Sequence, residues 1–248
     1  MIRIAGNVMK TEQILNGYNP GDLGRRMIAA LDSSENTYSY SSLEQLKFEV
    51  DMRNNIVKAS IALSRSRFSF KVFKKSKCNP AFWNRTPEGG FRIKQGVMPY
   101  EAINDIFNNS NKYGTECATA IVIVFCKALV DIYPPDLSNQ ALKGIYLMNW
   151  QHLNPNLGIE YIRHVGDFFP GDCRYFKNPD VDPETPEWQG ENTIDLGNGN
   201  YYGHGIGIAS AKSIIRELNR QRVPGSTTSA YLMDSVTRPD FKSLYEGL

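Results

Sequence analysis

The chain has 248 residues, 41% hydrophobic and 11% aromatic, enough for one large domain or two small ones around a sizeable buried core. Its net charge is only +2 and no basic block is interleaved with aromatics, so nothing points to nucleic acid as a partner. The densest basic run, "KVFKKSK" at residues 71–77, reads as a solvated surface stretch. The opening "MIRIAGNVMKTEQIL" lacks an apolar core and a cleavage site, so no secretory signal is expected. The longest apolar stretch, residues 118–130, is interrupted by Lys127 and is too short to span a bilayer.

The first hundred residues read as mostly helical. Residues 41–66 open with a Ser-x-x-Glu capping box at Ser41 and Glu44 and carry an apolar stripe through Leu46, Val50, Ile56 and Leu63. A second helix is expected in residues 98–114, with Pro99 near its start and Asn and Gly residues closing it. Residues 115–133 are ambiguous, because "AIVIVF" could be a buried strand. The run outlasts strand length, so it reads as helix, capped by Thr115 and ended by "YPP".

Strand-like runs follow at residues 144–150, 173–178 and 192–208, the last holding an Asn-Gly-Asn hairpin signal. A helix is expected at residues 210–222. The Pro- and Asp-rich residues 178–188 form a long surface loop before the hairpin. Helices first, then one central helix, then an antiparallel meander make an α+β layout. No internal repeat or low-complexity linker is visible.

The four cysteines, Cys78, Cys117, Cys126 and Cys173, are widely spaced without a Cys-x-x-Cys pair. Neither a disulfide framework nor a zinc site is expected, and the default is four reduced thiols in a cytoplasmic compartment. Cys117 stands apart because it falls in the first turn of the apolar helix. Unpaired N–H groups and the positive end of the dipole there favour a thiolate, and could hold a tetrahedral oxyanion. An inert buried cysteine is the competing reading. Glu116 beside it need not face the same way, since adjacent helical residues point about 100° apart.

A hairpin turning near residues 197–199 would bring Glu191 and His204 roughly opposite each other, where an acid and an imidazole could serve a cysteine. A surface glutamate and a structural histidine would give the same pattern. "GHGIGIAS" fails as a dinucleotide fingerprint, because the third glycine would fall at Ile208. Alternating Gly203, Gly205 and Gly207 instead suggest a close approach by another backbone or a substrate. His152 and His164 have no evident partner.

Three blocks in order, "YGTECATAIVIVFCKALVD", "FFPGDCRYFKNPDVDPETPEWQGEN" and "NYYGHGIGI", closely resemble the protein-glutamine gamma-glutamyltransferases of endospore-forming bacteria. "FEVDMRNNIV", "FWNRTPEGG" and "SAYLMDSVTR" extend the likeness over nearly the whole chain. The resemblance implies a single domain over residues 1–248, with 1–95 mainly helical and 96–248 the catalytic core. The implied core is papain-like, of the NlpC/P60 type: a central helix carrying the thiol, packed on an antiparallel sheet. It implies calcium-independent joining of glutamine to lysine side chains, with no cofactor or metal. Cys117 would be the nucleophile, Glu191 the main acid/base and Glu116 a partial substitute, with His204 nearby. Trp188 and Phe70 are candidates for the apolar walls that keep water from a thioester. The implied partners are proteins bearing accessible Gln and Lys, spore-coat proteins among them, after synthesis in the mother-cell cytoplasm. A thiol peptidase or amidase on the same core, and a non-catalytic coat scaffold, are the rival readings.

Overall fold

The computed structural model describes residues 1–150 and 155–247. The chain begins in strands rather than helices. β1 (Ile2–Ile4) and β2 (Asn7–Met9) form an antiparallel hairpin. Helices α1 (Thr11–Leu15) and α2 (Gly21–Ser33) follow, and β3 (Tyr38–Tyr40) returns beside β1 in parallel. Ile2, Ile14, Ile28 and Leu31 bury a small core of their own beneath this sheet. The helices of the first hundred residues thus stand beside short strands that a mostly helical reading of the sequence does not include. Strands of three residues are too short to show an alternating pattern.

The long helix α3 (Leu43–Ser64) is capped one residue later than the sequence suggests. The Ser42 hydroxyl accepts from the Gln45 N–H at 3.1 Å, and Gln45 reaches back to the Ser41 N–H at 2.7 Å. Ser42 and Gln45 thus do what was expected of Ser41 and Glu44. Arg53, on the inner face of α3, is fully buried and lies 2.9 Å from Glu49 and 2.8 Å from Asp172. Arg238 approaches the same Asp172 at 3.2 Å. A buried ion pair needs several partners of this kind to offset its desolvation, and this cluster ties α3 to Asp172 and to β15 near the end of the chain.

Beyond α3 come β4 (Ser69–Phe70), β5 (Trp83–Arg85) and β6 (Phe91–Ile93), and then α4 (Pro99–Asn108) in the expected 98–114 region. β7 (Gly114–Thr115) pairs with β4 in parallel and leads straight into α5 (Cys117–Ile132). Nearly every α5 side chain is buried, from Ala118 to Val130. That explains the ambiguity of its sequence: a helix covered on all sides has no polar stripe to declare its period. α6 (Pro135–Ala141) and β8 (Tyr146–Leu147) follow, with β8 adding to β6.

The remaining strands build the main sheet: β9 (Glu160–Ile162), β10 (Cys173–Lys177), β11 (Gly190–Asp195), β12 (Asn200–Gly203) and β13 (Gly207–Ser210). After α7 (Ala211–Asn219) come β14 (Tyr231–Leu232) and β15 (Val236–Arg238), and the chain ends in α8 (Phe241–Glu246). The strand order is β13-β12-β11-β10-β15-β9, all neighbours antiparallel, with β14 also pairing β10. The β11–β12 turn uses Gly197 and Gly199 at φ 73° and 77°, a conformation that glycine adopts without strain. α5 packs on α3 and on β11, and α3 also meets β11, β12 and β13, so helices from the first third share one core with the strands of the last. Among the described residues no helix is long and apolar enough to cross a membrane.

Candidate active site

Backbone pairing sets the position of the thiol. The Lys71 N–H donates to the Thr115 carbonyl at 2.8 Å, holding the end of β7 against the β4 segment. The next residue, Glu116, is the helix cap. Its carboxylate accepts from the Ala118 N–H at 2.6 Å, from the Thr119 N–H at 2.7 Å and from the Thr119 hydroxyl. The Thr119 hydroxyl in turn accepts from the Asn149 N–H at 2.8 Å. Thr115, expected to be the cap, is buried in β7, and its hydroxyl has no hydrogen-bond partner among the described residues. A two-oxygen carboxylate at the cap satisfies two orphan N–H groups at once.

Cys117 is therefore the first residue of α5. Its sulfur accepts a hydrogen bond from the Asn192 side-chain amide at 3.5 Å. The expected thiolate is not the resting form. Burial pushes the Cys117 thiol well up, and the charges of Glu191 and Glu116 push it further, against an opposing contribution from the Asn192 N–H groups. The helix dipole is still present, but the capping carboxylate sits on its positive end.

Glu191 sits on β11 and is only 4% exposed. Its Oε1 accepts from the Gly205 N–H at 3.1 Å. Burial raises its pKa to about 8, with Glu116 adding to the rise and the Gly205 and His204 N–H groups opposing it. A Cβ on Gly203 would lie 2.8 Å from the Glu191 carboxyl oxygen, so that glycine makes room for a carboxylate rather than for a passing backbone or substrate. Among the described residues Glu191 makes no hydrogen bond to the Cys117 sulfur, and the two act on each other through their charges.

His204 is placed differently from a general base. Its Nδ1 is 3.0 Å from the Tyr202 hydroxyl, and its ring centroid lies 4.7 Å from that of Phe68. Nε2 is buried beside the Ser69 backbone, without a well-formed hydrogen bond among the described residues. Burial lowers the imidazole pKa to about 4, the Ser69 backbone opposing, so the ring is neutral near pH 7. Only its backbone N–H bears on the Glu191 carboxylate. His164 pairs on the surface with Asp234 at 2.6 Å, and His152 lies outside the described residues.

Cys117, Glu116, Asn192 and Phe70 border one cavity of about 980 Å³, walled further by Trp150 and Tyr175. Exposed Tyr161 marks its rim. Trp188 does not line it. That side chain packs on Phe176, Ile214 and Leu218, while its chain neighbours Glu187 and Gln189 face the cavity. All four cysteines are free thiols. Among the described residues no group of three or more His, Cys, Asp or Glu side chains could hold a metal ion.

A family model of protein-glutamine gamma-glutamyltransferase matches residues 1–247. The chain belongs to this family. It is a transferase of the protein cross-linking kind, a protein-glutamine gamma-glutamyltransferase. The enzyme of that name from Bacillus cereus strain B4264 is 40% identical over 238 residues, 96% of this chain and 86% of the relative. The one from Bacillus mycoides strain KBAB4 is 40% identical over 243 residues, 97% and 87% of the two chains. A solved transglutaminase from Geobacillus stearothermophilus, without its C-terminal extension, is 51% identical with a TM-score of 0.78, covering 82% of this chain and 96% of that one.

Two side chains of this gamma-glutamyltransferase escape a reading of the sequence. Trp150 reaches the cavity from a segment 33 residues beyond Cys117, with no local pattern to mark it. Asn192 carries a usable signal: it follows Glu191 directly, and alternation along a strand sends one of two neighbours to each side. Asn192 takes the sulfur side, and the Glu191 carboxylate turns to the Gly205 loop.

Proposed function

We propose that this transferase joins a glutamine carboxamide to a lysine amine through a thioester on Cys117. The core it uses for this is papain-like, and the whole chain works as one unit. The observation that carries the reading is the Cys117 sulfur, at the start of a buried helix and bordering a cavity with apolar walls, within electrostatic reach of the Glu191 carboxyl group raised to about 8. A base with a pKa near the working pH combines a useful ionised fraction with proton affinity.

Cys117 attacks the carboxamide carbon as its S–H proton passes to the ionised Glu191. With no direct hydrogen bond between them, the substrate nitrogen or a water carries that proton across. The tetrahedral intermediate collapses, the C–N bond breaks, and ammonia leaves with the proton from Glu191. A neutral lysine amine then attacks the thioester carbon. Its surplus proton goes to Glu191, the C–S bond breaks, and the thiol is restored. Phe70 and Trp150 keep bulk water from the thioester, which would otherwise be hydrolysed. Glu116 sets the charge around both groups and serves as a reserve base at the cost of weakening its bonds from the Ala118 and Thr119 N–H groups. His204 positions the Glu191 carboxylate through its backbone. No calcium or cofactor takes part. The substrates are proteins with accessible Gln and Lys, and the endospore-formers' likeness points to the spore coat, reached from the mother-cell cytoplasm.

Incubation with casein tests this. The chain should release ammonia and build high-mass bands, and Cys117→Ala should do neither while keeping its fold. Ammonia without high-mass bands would make the protein an amidase, and cross-linking by Cys117→Ala would remove the mechanism.

A further inference from the structure

The helix amides that would ordinarily hold a developing oxyanion are occupied. The N–H groups of Ala118 and Thr119 both donate to Glu116, which leaves the N–H of Cys117 itself at the helix start. A tetrahedral intermediate with one donor would be poorly held, since its oxygen carries a full charge in an apolar cavity. The side-chain donor that the structure puts on the sulfur is the amide of Asn192, at 3.5 Å from Sγ. In a carbonyl under attack the oxygen lies two bonds from the sulfur, so a donor at that distance reaches it with a small rotation of the side chain. Asn192 is held for this task. It sits on a central strand between β10 and β12, opposite Tyr175, and its side chain faces the cavity. Its neighbour Glu191 accepts from the Gly205 N–H and, among the described residues, donates nothing to the sulfur.

We infer that the Asn192 side-chain amide and the Cys117 N–H form the oxyanion-holding pair of the transfer reaction, making Asn192 a catalytic residue. The inference rests on the acyl-transfer reading above. In the resting enzyme the amide donates to the thiol sulfur. During attack it moves to the carbonyl oxygen as negative charge builds there, and it returns to the sulfur when the thioester is resolved. No net bond or proton change occurs at Asn192.

The test compares wild type with Asn192→Ala and with Asn192→Asp, which keeps the shape and removes the donor. Two rates are measured: ammonia release from a small glutamine amide with hydroxylamine as acceptor, and alkylation of Cys117 by iodoacetamide across pH. Alkylation attacks a saturated carbon and forms no oxyanion. The expected result for Asn192→Ala is a kcat lower by about 10²–10³-fold with KM nearly unchanged, while alkylation moves to higher pH, because the amide no longer favours the thiolate, and reaches the wild-type rate once the thiol is ionised. Asn192→Asp should lose at least as much kcat, and it carries the test if the alanine variant does not fold. A kcat within about threefold of wild type in either folded variant would overturn the inference. So would an alkylation rate of the ionised thiol in Asn192→Ala that falls in step with kcat, because Asn192 would then only position the sulfur. A wild-type enzyme that alkylates but releases no ammonia would instead overturn the acyl-transfer reading itself.

Discussion

Replacing Glu191 by glutamine should make the folded protein more stable in mild base while it disables the enzyme. The folded carboxyl keeps its proton to about pH 8, against an ordinary value of 4.5. Between those values the unfolded chain has already lost the proton, so each pH unit removes about 1.4 kcal/mol of stability. From pH 5 to pH 8.5 the loss sums to about 4 kcal/mol. Glutamine has no charge to desolvate and still accepts from the Gly205 N–H. It leaves an amide NH₂ without a partner, at about 1–3 kcal/mol, but that cost is the same at both pH values. Urea unfolding of the two proteins at pH 5 and 8.5 isolates the difference. Wild type should lose about 4 kcal/mol more than Glu191→Gln over this range, and the variant should be the more stable protein at pH 8.5. Parallel losses would mean that Glu191 is not held protonated by burial, and the assignment of the base would fail with it. In the same variant ammonia release should fall at least 10²-fold, and any remainder above Cys117→Ala measures what Glu116 can supply.

The same carboxyl should set the pH profile of the enzyme. In the proposed mechanism its ionised form is the base, so kcat/KM should climb with pH up to about 8 and then level, and Glu191→Gln should lose that limb. Glu116→Gln removes a charge that raises the Cys117 thiol, so iodoacetamide should label Cys117 faster at pH 8, and loss of the charged cap should cost about 1 kcal/mol in unfolding experiments. Phe70→Ala opens the cavity wall; ammonia release should persist while the share of acyl groups reaching an amine falls in favour of hydrolysis. EDTA should leave cross-linking unchanged, and a loss restored by calcium would overturn the metal-free reading.

The sequence carried the order of the main elements because long, strongly patterned segments announce themselves. The hairpin at residues 192–208 and the helix after it lie where turn glycines and a Ser cap put them. Features that depend on which side chain meets which were less legible. Thr115 and Glu116 are both plausible caps, and only the pairing of β7 with β4 decides that Thr115 is spent in a strand. The helix start at Cys117 was legible, but its consequence for the thiol was not, because two carboxylates and burial outweigh the dipole. Trp188 is three residues from Glu191 in sequence, yet the turn at Pro186–Trp188 carries it onto the α7 side. The three-residue strands β1, β2 and β3 are set by packing over Ile14 and Leu31, which local sequence does not encode.

The thioester is the part of the account on which everything else depends, and it can be weighed directly. The enzyme is mixed with a glutamine peptide in the absence of any amine, quenched in acid and digested. The fragment containing Cys117 should gain the mass of the peptide less that of ammonia, and lose the adduct when an amine is added before quenching. An adduct on another residue, or cross-linking that proceeds with Cys117 never acylated, would contradict the account.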